Sequence, residues 1–351
     1  IDEYIKETAV VNPHLTIIYT NPEAKQYVFP RATQQLPPET IEIKPHPYGL
    51  ELGTLIRLSQ NTPEKTVNSF LTKDFSKVTP SVAKEILEKA RVLPKMKPKD
   101  LSREQTEKIF EAIKVTKIQA PPTDCISPVG AELLEKGLKK EINAEFYAST
   151  TIPAGVYRGN PFIIEAALAY GGEQKSDGSI RIMRFANRVP LLYQQGACAN
   201  TQAISQTNWK SYGLQQSKSS IPTGPMTVVV HIASTWIPFT SESKEAVAHY
   251  DEILKEIKLA LQECGRNLGI YLRKKKRLFD EKKKRSFIEK YIPHVSTAIV
   301  SILNYDDSIK DQIDNHLTNL MEKNRGELKE VAQKNTEYDE EYAKIGAEND
   351  E

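Results

Sequence analysis

Few side chains in this sequence stand in arrangements that could do chemistry, and the most suggestive is a lysine. Lys244 lies in the run Thr240-Ser-Glu-Ser-Lys-Glu-Ala-Val247. Ser241 or Ser243 can cap a helix there, Glu242 and Glu245 suit the positive end of its dipole, and an apolar pattern begins at Val247. A cation in that position opposes the local potential unless it reaches outward to an anion; the alternative is a solvated loop lysine. A second group is Asn208-Trp209-Lys210-Ser211-Tyr212-Gly213 in a polar, Gln-rich setting. Trp209 either folds back over a sheet edge or joins Lys210 and Tyr212 in touching a nucleic-acid backbone or groove. A third is Leu93-Pro-Lys-Met-Lys-Pro-Lys-Asp100, whose prolines stop helix and whose Lys95, Lys97 and Lys99 point into solvent. Such lysines can neutralise phosphates with release of counterions, or merely keep a small domain soluble, since Glu85 and Glu88 dilute the charge. Metal chemistry has less support. Cys125, Cys198 and Cys264 lie far apart and the six His residues form no ligand pattern with them, so neither a metal site nor a disulfide scaffold is expected.

The elements that must position these residues follow from pattern. A helix ends near Asn12-Pro13, followed by strands at Leu15 to Tyr19 and Gln26 to Phe29 around the turn Asn21-Pro22. From Pro45 the pattern is helical, with Thr62-Pro63 and Thr79-Pro80 as caps followed by proline, and Ser102-x-x-Gln105 as a capping box. Three short helices are predicted. Gln119 to Pro122 is a linker and Gly130 to Ile142 a helix. Strands follow, with Phe162 to Tyr170 the clearest; Gly171 to Ser179 reads as a hairpin loop returning through Ile180 to Ala186. A short helix at Ala197 to Gln206 precedes the β-branched strand Val228-Val-Val-His-Ile232. This order predicts an α+β layer, a sheet covered by helices in a split βαβ arrangement.

From Lys244 a long helix is predicted, with Val247, Tyr250, Leu254, Ile257, Leu261, Cys264, Leu268 and Tyr271 spaced alternately by three and four. A coiled-coil seam, a helix laid on its own sheet and a helix against a partner protein all read this way. Continued through the basic run Arg273 to Arg285 as far as Tyr291, it would extend about 70 Å at 1.5 Å per residue and act as a lever. The basic end reads as a solvated stalk or as a path for duplex DNA. Pro293 is expected to interrupt, with helices at Val295 to Leu303 and along Asp306 to Lys329, and an acidic, disordered tail over 335–351.

Composition sets bounds. With 351 residues and a net charge of only +2, the chain can bury real cores in two or three domains, although Arg266 to Lys290 is basic and Glu337 to Glu351 acidic. No apolar run reaches the roughly 18 residues of a membrane span and no leader is visible, which predicts a soluble protein of a reducing cytosol. The opening Ile-Asp-Glu-Tyr-Ile is already helical in spacing without a start signal, as expected of a fragment.

The wording Gly224-Pro225, the apolar strand, Ser234-Thr235, Pro238-Phe-Thr-Ser-Glu242 and Lys244-Glu-Ala246 resembles the transducer domain of the B subunit of archaeal DNA topoisomerase VI. Tyr157-Arg-Gly-Asn-Pro-Phe162 and Arg184-Phe-Ala-Asn-Arg-Val-Pro-Leu191 resemble the same family, and Phe75 to Ile86 its helix-two-turn-helix insert. The resemblance implies a C-terminal remnant of a GHKL-type ATPase domain at 1–44 and a helix-two-turn-helix domain at 45–118. It further implies a transducer with a left-handed βαβ crossover and stalk helix at 119–290, and helices at 291–334 that dock the DNA-cleaving A subunit. It implies that Lys244 is the switch lysine touching the γ-phosphate of ATP, and that Trp209, Lys210 and Tyr212 sense DNA. ATP and Mg2+ would be held mainly by an upstream domain, because no adenine turn, phosphate lid or catalytic helix is present here; this stretch alone is expected to be inactive, with no catalytic residue. The implied partners are double-stranded DNA, the A subunit and a second B subunit in an A2B2 complex that relaxes and decatenates DNA by double-strand passage, in the cytoplasm at the nucleoid and without a membrane. The competing reading is a non-enzymatic nucleic-acid-binding or scaffold protein that uses the helical domain and the basic stalk.

Overall fold

The computed structural model describes residues 1–304 and 306–325; the acidic stretch 335–351 and the last residues of the expected docking segment lie outside them. Helix α1 (Asp2–Val11) and the hairpin of β1 (Ile17–Thr20) and β2 (Gln26–Phe29) open the chain. Then come α2 (Leu52–Asn61), α3 (Val67–Asp74), α4 (Pro80–Ala90) and α5 (Arg103–Lys114). They are followed by α6 (Ala131–Glu141), β3 (Phe146–Thr151), β4 (Gly155–Tyr157), β5 (Asn160–Tyr170), β6 (Arg181–Ala186), β7 (Val189–Pro190), α7 (Ala199–Gln206), β8 (Met226–Ser234), α8 (Asp251–Leu303) and α9 (Lys310–Arg325). The chain divides into two compact units, one of Ile1–Arg266 and one beginning at Asn267.

In the helical region the local signals do what their chemistry dictates. The Thr79 hydroxyl accepts from the Val82 amide ahead of Pro80, and Ser102 and Gln105 form both halves of a capping box. Phe70, Leu71, Ile86, Leu87, Ile109 and Ile113 close one core. Four helices form instead of three, because Thr62 ends α2 rather than starting a helix. Its hydroxyl accepts from the Glu64 amide in a tight turn, and Thr66 caps α3 through the Ser69 amide.

The sheet runs β3-β5-β8-β6-β7, with β4 also paired to β5. All nine residues of β8 are buried, and it lies antiparallel to β5 and parallel to β6, with α7 in the crossover. The expected hairpin across Gly171 to Ser179 therefore does not form. A strand buried along its whole length must pair the backbone groups of both its edges, and β8 takes the place between β5 and β6 that local turn chemistry alone would have closed. Val10 and Val11 of α1 share a core with Leu134 and Leu138 of α6 and with Ala167, Phe185 and Val229 of the sheet.

Helix α8 starts at Asp251, not at Lys244. Residues 238–248 are instead strapped across a loop: Thr240 N donates to Ala246 O, Ala248 N to Pro238 O, and Ala199 N to Val247 O. These bonds hold Ala246 and Val247 in a non-helical path that local cap residues could not reveal. Ile257, Leu261 and Cys264 are buried, and the Cys264 thiol donates to Ala166 O of β5, so this part of the stripe is laid on its own sheet. Pro293 does not interrupt; α8 passes through it. The ring removes one backbone bond, but the turn beyond is tied to α9 by Ser296, whose single hydroxyl proton is shared between Ile292 O and the carboxylate of Asp314. Among the described residues no helix is long and apolar enough to cross a membrane.

Candidate functional site

The loop leaving the C-terminal end of β8 presents Lys244. Phe239 bridges Val247 across it, the Lys244 amide donates to Ser241 O at 3.2 Å, and Lys244 itself adopts φ +57°. A non-glycine residue rarely takes that conformation without compensation. Here the strap supplies it, and the exposed side chain projects from the tip with no ion pair to a described residue. The geometry gives a rigidly based, solvated ammonium able to make charge-assisted hydrogen bonds to an incoming anion.

The strand behind this loop is fixed by a polar network that no single segment of sequence shows. Glu165 of β5 and His231 of β8 face each other across the ladder, both buried. His231 Nδ1 lies 2.7 Å from Glu165 Oε2, and its Nε2 accepts from the Arg188 amide, so the partners assign the proton to Nδ1. Glu165 also accepts from the amides of Val129 at 2.8 Å and Gly130 at 2.5 Å at the entry to α6, and from Thr151 Oγ1 at 3.1 Å. Burial opposes ionisation of Glu165, but the bonds from His231 and the two amides outweigh it and hold the carboxyl below its ordinary value. The Arg188 guanidinium in turn ties the carbonyls of Val11, Ser127 and Pro128 together. The trace left in sequence is one carboxylate and one imidazole inside otherwise apolar strands.

The other expected site residues fall in two places. Trp209 begins a 3-10 turn, Trp209–Tyr212, and differs from an exposed aromatic tip: it is fully buried and its indole N–H donates to Ile204 O at 2.8 Å. The ring satisfies its one polar group inside the protein. Tyr212 is half-buried edge-on to Trp209, its ring against Gly265, where a Cβ would lie 2.4 Å away; burial pushes its hydroxyl pKa up. Lys210 alone of the three is exposed. Lys95, Lys97 and Lys99 are exposed together on a turn that runs into a 3-10 helix at Pro98–Asp100, while Met96 is half-buried and Pro98 buried between them. The Val67 amide donates to Met96 O, anchoring the segment to the start of α3. The structure thus gathers the three lysines on one edge and leaves Lys244 and Lys210 on separate loops. Among the described residues no group of three or more His, Cys, Asp or Glu could hold a metal ion.

A mixed sheet crossed by one long helix, with a strapped lysine loop between its central strand and that helix, is the setting in which residues 121–284 match the family described as the transducer of the topoisomerase VI B subunit. Over most of its length the chain is related to B subunits of that kind. It is 46% identical over 304 residues to the B subunit of type 2 DNA topoisomerase 6 from Methanococcoides burtonii, an alignment that covers 87% of this chain and 49% of that protein. To the protein of the same name from Archaeoglobus fulgidus it is 42% identical over 311 residues, covering 89% of this chain and 52% of the other. The chain spans about half the length of these curated relatives. A likeness to the B-subunit of the DNA gyrase from Myxococcus xanthus, with a TM-score of 0.24 and 19% identity over 33% of this chain and 32% of that one, is too slight to bear on the fold.

Proposed function

We propose that this chain is the force-transmitting part of the B subunit of an ATP-dependent type II DNA topoisomerase. In this reading residues 1–44 end an ATPase domain and residues 45–118 are a helix-two-turn-helix domain. A transducer with a left-handed crossover follows, and the helices at 291–334 dock the DNA-cleaving A subunit. The observation that carries the proposal is the strapped loop that holds Lys244 outward, unpaired, between the central strand and α8. ATP bound by an upstream domain, with its Mg2+, supplies a terminal phosphate whose charge changes on hydrolysis. Lys244 donates charge-assisted hydrogen bonds to that phosphate and favours the bound geometry by its differential affinity for the two states, closing one B subunit on a second. The loop continues directly into α8, which conveys the change towards the A subunit and gates strand passage.

The test is nucleotide-dependent dimerisation of the full-length protein. Lys244→Ala is expected to weaken it about tenfold or more, in proportion to the loss of a charge-assisted bond of about 1.5–3 kcal/mol. Indifference to the substitution would reject phosphate sensing and leave the nucleic-acid-binding scaffold as the better reading.

Duplex DNA is the proposed partner of Lys95, Lys97 and Lys99 and, on the other loop, of Lys210, with Trp209 and Tyr212 supporting Lys210 from within. If each of the three lysines neutralises one phosphate, replacing all three by Ala reduces the slope of log affinity against log salt by about 2–3. An unchanged slope in a salt titration assigns them to solubility instead.

A further inference from the structure

The string Tyr157-Arg-Gly-Asn160 is absorbed neither by phosphate sensing nor by DNA contact, and the structure gives it a definite setting. Arg158 and Gly159, at φ +49° and +78°, form the two-residue tip between β4 and β5. Two successive left-handed residues are what a type I′ hairpin requires, and glycine at the second is the usual solution. The first is an arginine, and its guanidinium reaches three aromatic rings at once. It lies 5.5 Å from the centroid of Tyr157, 5.5 Å from Trp236 and 5.8 Å from Tyr250. Tyr157 stacks on Trp236 at 6.0 Å and touches Tyr250 at 4.5 Å. On its other side Arg158 pairs with Glu51, the residue before α2, at 3.1 Å. The fit at this edge is close: a Cβ on Gly49 would sit 2.8 Å from Arg158 N, and the His46 amide donates to Gly159 O at 2.8 Å.

Trp236 and Tyr250 bracket the strapped loop. One follows β8 by two residues and the other precedes α8 by one, so both legs of the segment carrying Lys244 rest on the same guanidinium. That guanidinium is itself held by the first turn of the helical region.

We propose that Arg158 is a positioning residue for Lys244: by clamping Trp236 and Tyr250 against Glu51, it sets the stance of the lysine loop from the helical region and couples the two. The inference rests on the phosphate-sensing reading of Lys244 for its functional consequence, but the clamp itself is a property of this chain. A planar, always-charged guanidinium can lie over ring faces and pair with a carboxylate together, whereas an ammonium of similar charge cannot satisfy both. Arg158→Lys is therefore not a conservative change here.

Three measurements test it. In the 351-residue chain, amide hydrogen exchange across 236–250 is expected to quicken about tenfold in Arg158→Ala, with Arg158→Lys intermediate and the core of β8 and α4 unchanged, as for local opening of a clamped segment. Fluorescence reports the same event, because the chain has only two tryptophans and Trp209 is buried away from Arg158, leaving Trp236 at 45% exposure as the responsive one. Exchange that quickens only at 155–161, or not at all, overturns the clamp. Should Arg158→Ala fail to fold, Glu51→Ala is the second variant, expected to loosen the same loop more weakly. In the full-length protein, Arg158→Ala should then lower nucleotide-dependent dimerisation without removing Lys244. If Lys244→Ala has an effect there and Arg158→Ala has none, the clamp is wrong and phosphate sensing stands. If neither has an effect while the loop still loosens, phosphate sensing is wrong and the clamp stands.

Discussion

Gly137→Ala destabilises the protein by about 3 kcal/mol or more, although alanine is the better helix former by about 1 kcal/mol. Gly137 sits inside α6, and a Cβ built there lies 2.0 Å from the carbonyl oxygen of Val10 and 2.9 Å from its carbon. Both atoms are backbone of α1, so no side-chain rotation relieves the clash; α1 has to move off α6. That movement opens the core in which Val10 and Val11 meet Leu134 and Leu138, and it strains the bond from Arg188 to Val11 O. Urea denaturation followed by circular dichroism measures the loss as a fall in midpoint. Gly53→Ala is the paired control: a Cβ there meets nothing within 4 Å, and α2 should be unaffected or slightly firmer. Equal midpoints for the two variants would show that α1 does not pack on α6 as closely as described.

The second large effect is expected at the buried carboxylate. Glu165→Gln keeps the shape of the side chain but replaces an acceptor-only group with an amide whose NH2 cannot accept. Val129 and Gly130 each present an N–H to one of the two oxygens, while His231 and Thr151 need acceptors as well. At least one buried donor is then unsatisfied, and the charge that draws the others is gone. Breaking such a group from one side costs about 3–5 kcal/mol. The pH dependence gives an independent check. Because the folded carboxyl is held below its ordinary value, its contribution is present above the unfolded pKa, about 4.3, and is lost as pH falls through the folded one. Wild type should therefore lose stability on the acid side more steeply than Glu165→Gln, and parallel acid limbs would show that Glu165 is not ionised in the native protein.

Both predictions depend on contacts between segments far apart in the chain, and the sequence shows them only as oddities: a glycine within a helix, a glutamate in an apolar strand. By contrast, the caps of α4 and α5 were legible because a cap is a bond between residues three apart. The exposure of Lys95, Lys97 and Lys99 was legible for a similar reason, since the two prolines that stop helix and turn the chain act within a few residues. The apolar stripe of the long helix was visible too, but periodicity records only that a face is covered. That the cover is β5 emerged from Cys264 meeting Ala166.

The sequence by itself determined the types of most elements, the exposure of Lys95, Lys97 and Lys99 and the family likeness carried by the loop around Lys244. The three-dimensional fold alone decided that β8 lies between β5 and β6, that α8 waits until Asp251, that Pro293 is carried within a helix, and that Trp209 spends its indole on Ile204 instead of the surface. It alone brought Arg158 beneath both legs of the lysine loop. The physical reason is range: propensity, capping and turn chemistry act over a handful of residues. Strand order, burial and strapping are settled by which distant surfaces exclude water together, and that competition is decided only when the whole chain is packed.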